Sequence, residues 1–232
     1  MWNISAGGTL NTGNTRSFAG NAGTHVSIRR GQHGFVFDFQ AIEGIAQLKD
    51  AVTGLFGSSW TESAQSITST ARYDFFLSAN DALFAAGAVR RDTFAGLDFR
   101  GQAQLGYLRN FYVVEKHKLW GEIGYDFTYD DFHYAAPPMA GTVRPHDRTA
   151  HSARFYVGYD NHLNENLTLT TGVEALLRPY AVTGQGDFDL RLNWITQLNV
   201  KVDTHFSLGL SFTLRYDSVP AASSTDNVDT IT

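Results

Sequence analysis

The carboxy-terminal half of the chain alternates apolar and polar residues almost without a break. From Phe206, one face reads Phe206, Leu208, Leu210, Phe212, Leu214 and Tyr216, and the other Ser207, Gly209, Ser211, Thr213, Arg215 and Asp217. A period of two belongs to a strand, since a helix repeats its faces every 3.6 residues. The preceding segment behaves alike: Phe188, Leu190, Leu192, Trp194, Leu198 and Val200 oppose Asp189, Arg191, Asn193, Gln197, Asn199 and Lys201, with only Ile195 and Thr196 out of step. Further back, Ile123, Tyr125 and Phe127 oppose Glu122, Asp126 and Thr128, Phe155 and Val157 oppose Ser152 and Arg154, and Val173 and Ala175 oppose Glu174 and Arg178. The amino-terminal half alternates less cleanly, although Phe35, Phe37 and Phe39 against Asp38 and Gln40 are plain. Around Leu83 to Val89 both faces are apolar, and the pattern assigns neither.

Eleven strands follow, beginning near Trp2, Arg16, Gly34, Glu62, Ala82, Phe99, Lys118, Thr149, Asn166, Phe188 and His205, with a twelfth near Asp226. RRGQH, SAND, EKHK and VDTH read as tight turns, while 48–59, 91–98, 130–147, 179–187 and 218–225 read as longer loops between them. The TGNT turn at 12–15 is a short exception. A membrane barrel inserts with short turns on one side and longer loops on the other, whereas a soluble sandwich has no reason to sort its loops this way. The strands also commonly exceed the roughly five or six residues usual in globular proteins. They suit a tilted crossing of about 9–11 residues with overhang. The expectation is a single all-β domain over 1–232: a closed antiparallel up-and-down transmembrane β-barrel of about 12 strands. Alternation alone leaves a soluble sandwich or lipocalin-like barrel open, with the apolar face inside. Against it, apolar rows end in Tyr129, Tyr159 and Tyr216, where an interfacial ring keeps its hydroxyl wet.

Composition sharpens this picture in a few places. The formal net charge is −5 with no basic run, which argues against a nucleic-acid partner. No stretch approaches the roughly 18 apolar residues of a spanning helix. A mean hydropathy of −0.22 would ordinarily read as soluble, but in a barrel only alternate residues meet lipid. The absence of cysteine fits export, weakly. The chain passes from Met1-Trp2-Asn3 straight into alternating sequence without a signal peptide, as a mature form would.

Three stretches carry a resemblance: WNISAGGTLNTGNTRS at the start, RRDTFAGLDFR from Arg90 to Arg100, and LRYDSVP followed by TDNVDT from Leu214 to Thr230. In order and spacing they resemble the family of salt-induced outer-membrane proteins, a group defined by sequence and long labelled a domain of unknown function. The resemblance implies a closed barrel in the outer membrane of a Gram-negative bacterium, with membrane lipid and the insertion machinery as partners and no established enzymatic activity. Such proteins usually end in an alternating strand with a terminal aromatic. This chain stops at Thr232, so its final strand is expected to be incomplete.

The polar face supplies the candidate chemistry. Arg72, Asp74, Glu122, Asp126, Arg154, Glu174, Arg178, Asp189, Arg191, Lys201 and Arg215 are expected to line the lumen, either as a pore lining or as packed, paired charges. Their mixed signs argue against a strong anion or cation filter. His151-Ser152 raises an outer-membrane lipid hydrolase, but adjacent strand residues point to opposite faces, and no Gly-x-Ser-x-Gly elbow is present. Asp130, Asp131, His133, His146, Asp147 and His151 lack the spacing of a metal site and read as a solvated acidic loop. Arg90, Arg91, Asp92, Asp98 and Arg100 read as a rim loop held by ion pairs. No catalytic, cofactor-binding or metal-binding residue is therefore assigned. On the outward face, Gly8, Gly20, Ala22, Ser63, Gln65 and Ser69 are small or polar where lipid favours bulk, which points to a homo-oligomer seam. The function expected is structural or a small-solute pore. An oligomeric barrel organising lipid or neighbours is the alternative, and a lipid hydrolase the third reading.

The facing is testable on two adjacent residues. Leu210→Arg places a charge on the lipid side and should block insertion, at a cost of about 2–4 kcal/mol near the bilayer midplane. Ser211→Arg points the other way and should assemble, as read by the fraction recovered in outer membranes. The reverse ranking would invert the register.

Overall fold

The computed structural model describes residues 2–11, 15–48, 60–93, 96–132, 146–178, 189–203, 206–218 and 228–231. The first six strands are β1 (Trp2–Asn11), β2 (Thr15–Arg30), β3 (His33–Leu48), β4 (Thr61–Phe76), β5 (Asp81–Asp92) and β6 (Leu97–Val113). The others are β7 (His117–Phe132), β8 (Asp147–Asn164), β9 (Leu167–Arg178), β10 (Asp189–Lys201), β11 (Ser207–Asp217) and β12 (Val228–Ile231). They form one antiparallel twelve-stranded sheet in chain order from β1 to β12, with no β12–β1 pairing among the described residues. Each strand begins within two residues of where alternation places it.

The connections sort by length less strictly than expected, since 93–96 between β5 and β6 is no longer than the 77–80 turn. Tight turns join β2 to β3, β4 to β5, β6 to β7 and β10 to β11, and Glu165-Asn166 adds a fifth between β8 and β9. Gly31, at the first of these, has φ of 58°, a conformation a Cβ disfavours. Two loops are shorter than the sequence led one to expect. β5 reaches Asp92 and β6 begins at Leu97, which leaves 93–96, and β7 continues to Phe132. Alternation fades at these strand ends because charged residues there carry the pairing onward.

The chain divides into two compact units. The first comprises Met1–Tyr73, Ala86–Gln102 and Tyr129–Arg148, and the second Asp74–Ala85, Ala103–Thr128 and Thr149–Thr232. In the second unit burial is inverted relative to a water-soluble sheet. Glu122, Asp126, Ser152, Arg154, Arg178, Asp189 and Arg191 are buried, while Ile123, Val157, Val173, Trp194, Leu208 and Leu210 are exposed, Leu210 at 62%. The register aligns these rows: Val173 pairs with Trp194 and Trp194 with Leu214, so apolar residues sit beside apolar residues across three strands. The ambiguous start of β5 resolves the same way, with Ala82 and Phe84 buried and Leu83 exposed. In the first unit, Phe18, Ile28, Phe35 and Phe39 are exposed on one face, and His25 Nδ1 and Asp38 Oδ1 share a half-exposed hydrogen bond of 2.6 Å on the other.

Glycines make room on the buried face of the second unit. A Cβ at Gly158 would clash with the Trp120 ring, one at Gly172 would strike the Tyr156 hydroxyl, and one at Gly106 would stand 2.7 Å from the Phe84 ring. Three aromatic side chains thus press against glycine on neighbouring strands, an arrangement that fills space a β-sheet interior otherwise leaves empty. Gly158→Ala should therefore destabilise the fold by about 1–3 kcal/mol through overpacking. Gly87→Ala, where the nearest atom would be 3.8 Å away, should shift stability by only a few tenths of a kcal/mol. Unfolding in denaturant, followed by tryptophan fluorescence, separates the two.

Candidate functional site: a buried charge network

Arg154 is the hub of the second unit's polar face. Its Nη1 donates to Glu122 Oε2 at 2.6 Å and its Nε to Glu174 Oε1 at 2.5 Å. Glu174 Oε2 accepts in turn from Asn193 Nδ2 at 2.9 Å. The guanidinium also lies 5.4 Å from the ring centres of both Phe84 and Tyr156. Tyr156 is tilted against Trp120, with centroids 6.1 Å apart, and Lys118 Nζ stands 4.7 Å from the Trp120 ring. Two carboxylates and two aromatic faces thus enclose one cation, which leaves it 6% exposed. Beside this cluster, Asp126 accepts from Gln104 Nε2 at 2.9 Å and from Thr128 Oγ1 at 2.7 Å.

A second group lies toward the 179–188 connection. Arg178 donates to Asp189 Oδ2 at 2.6 Å and to Ser152 Oγ at 3.3 Å. Ser218 Oγ donates to the other oxygen of Asp189 at 3.0 Å, and Arg191 donates to Asp217 at 2.7 Å. Arg178 stands directly opposite Asp189, and Arg191 opposite Asp217, in the ladder. These contacts need no long reach.

The first unit has its own cluster. Arg100 grips Asp130 with two hydrogen bonds, at 2.5 and 2.9 Å, and Arg148 donates to the same carboxylate at 3.1 Å. Asp130 is fully buried, which corrects the expectation of a solvated acidic loop: the carboxylate belongs to β7 and answers two guanidiniums. His133 lies outside the described residues. Arg90 pairs with Asp92 at 2.6 Å, as expected of a rim held by ion pairs, but Arg100 reaches across to Asp130.

The structure joins some of the expected lining residues and separates others. Glu122, Arg154 and Glu174 form one cluster and Arg178 with Asp189 another, while Asp126 binds neutral partners. Asp74 is buried and Arg72 half-buried on β4, Arg215 is half-buried on β11, and Lys201 is exposed at the end of β10. Sequence reasoning missed Asn193, Asp217, Gln104 and Ser218 as partners. Asn193 and Asp217 were legible as members of the polar row, and Tyr156 as a ring on that row beside Arg154. His151 and Ser152 do face opposite ways: His151 is exposed and bonds the Tyr125 hydroxyl, whereas Ser152 is buried against Arg178. Among the described residues no group of His, Asp and Glu could hold a metal ion. Of the expected seam residues, Gly20, Ala22 and Gln65 line one depression. Gly8 pairs with Gly20, Ser63 is exposed and Ser69 half-buried.

Chemically, the network neutralises charge in place and presents neither sign in strong excess. Removing its hub should be costly. Arg154→Met leaves two carboxylates buried side by side and should destabilise the fold by about 3–5 kcal/mol. The triple variant Glu122→Gln, Arg154→Met, Glu174→Gln should recover most of that loss. Denaturant midpoints of the single and triple variants check this, and equal losses would show that the ion pairs are incidental.

Residues 4–232 match the family described as a protein of unknown function, DUF481, and the chain belongs to it. The chain is also similar to the translocator domain of autotransporter NalP from Neisseria meningitidis, at 16% identity and a TM-score of 0.47, covering 92% of this chain and 80% of that one. A second similar structure is the NanC porin, at 11% identity and a TM-score of 0.42, covering 92% of this chain and 86% of the porin. No curated protein matches the sequence.

Proposed function

We propose that this member of the DUF481 family is an integral β-barrel of a Gram-negative outer membrane, closed in its native setting, with a structural or small-solute role rather than general diffusion. The observation that carries this reading is the inverted burial. Phe155, Val157, Val173, Trp194, Leu208 and Leu210 are exposed as a continuous apolar surface while charged residues are buried. In water such a surface would drive association, and in a bilayer it is the ordinary outer face of a barrel. No described helix is long and apolar enough to cross a membrane, so strands carry the crossing in this reading. Rings with polar tips stand beside the tight turns, His33 bonded to Tyr73 at 2.6 Å and His117 to Tyr159 at 2.8 Å. That placement suits a membrane interface.

The narrow role rests on the second unit's polar face. A lining that meets a water-filled channel keeps its charges wet, but here Arg178 is 2% exposed and Asp126 fully buried. The side chains meet one another instead of solvent, which supports a filled interior at this level.

Two measurements test the proposal together. Unboiled protein extracted in detergent should migrate differently on SDS gels from boiled protein, because a closed barrel resists detergent until heated. In planar bilayers the wild type should give little or no conductance. Arg154→Ala should open cation-preferring steps, since Glu122 and Glu174 then lack a counter-charge. Full solubility without detergent and no heat shift would end the membrane reading, and large wild-type steps would replace the filled interior with an open pore.

A further inference from the structure

On the outward face of the first unit a depression of about 490 Å³ extends from β1 to β4. The register explains its low floor. Gly20 pairs with Glu43 and Ala22 with Ala41, so little side chain rises there, while Phe18, Ile45 and Ile67 stand around it. Glu43 points outward with Phe35, Phe37 and Phe39, because all four share one parity on β3.

Its position is unusual. The rung on the loop side of Glu43 is Phe18 with Ile45, and on the turn side Ala22 with Ala41 precedes Thr24 with Phe39. The carboxylate therefore stands one apolar rung inside the Arg16–Gln47 rung of the loop side. It is exposed, and among the described residues it makes no hydrogen bond or ion pair. A charge facing hydrocarbon requires a donor. Lipid tails offer none, and headgroups would lie beyond the Phe18–Ile45 rung.

The same depression holds a donor without an acceptor. Gln65 Oε1 accepts from Thr93 Oγ1 at 2.8 Å, which leaves its NH2 group available to donate. One patch thus carries an acceptor and a donor, each lacking a partner among the described residues. We infer that this depression seats the same depression of a second copy of the chain, with each copy's Gln65 amide donating to the other's Glu43. A two-fold axis makes the contact twice. The low floor at Gly20 and Ala22 lets two barrel walls approach closely enough for it. The inference rests on the reading of this face as lipid-facing.

The chain has no cysteine, so a single Ala22→Cys variant reports the contact cleanly. In native outer membranes a short bis-maleimide should join it into a species of twice the 25.6 kDa chain mass, while Leu210→Cys, on the other unit, should give none. Adding Glu43→Leu or Gln65→Leu should lower the cross-linked yield roughly tenfold, as expected when paired hydrogen bonds are lost in a bilayer. Glu43→Gln, which can still accept, should keep it. Each variant is also run boiled and unboiled. Loss of the heat shift in the wild type would overturn the membrane reading beneath the inference. A retained heat shift with Ala22→Cys uncross-linked, or joined only to a different protein, would overturn the seam itself.

Discussion

A charge removed from water must find its counter-charge within reach, and on the buried face of this sheet the counter-charge is nearly always one strand away. Arg178 meets Asp189 and Arg191 meets Asp217 as direct cross-strand neighbours, while Arg154 reaches diagonally to Glu174. This makes the ion pairs devices of register. A slip of one residue would carry every charge of a strand to the apolar face and bring apolar side chains into the network. Hydrophobic matching on the exposed face is far more permissive, since leucine, valine and tryptophan replace one another on an open apolar surface at little cost. The pairing of these strands is therefore specified from the buried side.

Pairing alone would leave gaps, because a row of arginines and carboxylates does not fill volume as a hydrocarbon core does. The second unit closes them with Phe84, Trp120 and Tyr156, each pressed onto a glycine. Two of these rings also cover the Arg154 guanidinium. The aromatic surface shields the ion pairs from water, which strengthens them, and the cation gives the rings an electrostatic reason to stay. Packing and charge thus support one another, so the network behaves as one unit instead of a set of separable bonds. The filled interior proposed above rests on this cooperation more than on the number of strands.

The strands were largely legible in the sequence because period-two alternation is a local signal, and it is strongest where a strand has one apolar and one polar face. It failed at Leu83 to Val89, where Phe84 turns an aromatic ring toward the polar side to cover Arg154. It also failed at Asp130, read as loop because its row ends in charge, although Arg100 and Arg148 make that position one of the most buried. Which charges pair was less visible. Parity names the face but not the neighbour, and the neighbour depends on register across turns whose length the sequence fixes only approximately. Glu122 and Arg154 are 32 residues apart, and nothing local announces their contact.

The requirement that organises the buried face applies to the exposed one as well. Inside, almost every polar group is answered by its own chain: Asn193 turns to Glu174, Ser218 to Asp189, Thr128 to Asp126. Outside, His33 answers Tyr73 and His117 answers Tyr159, each pair beside a tight turn of its own unit. Glu43 fits neither group, since it stands among apolar rungs on the outward face without an intrachain partner among the described residues. A sequence that satisfies its buried charges this thoroughly has little reason to leave a carboxylate exposed to hydrocarbon. The economical resolution is that the rule still holds and the answering group lies on another molecule. In the proposed dimer the first unit's outward face is the interface, while the second unit's apolar rows, uniform and free of such a residue from Leu208 to Phe212, are left for lipid.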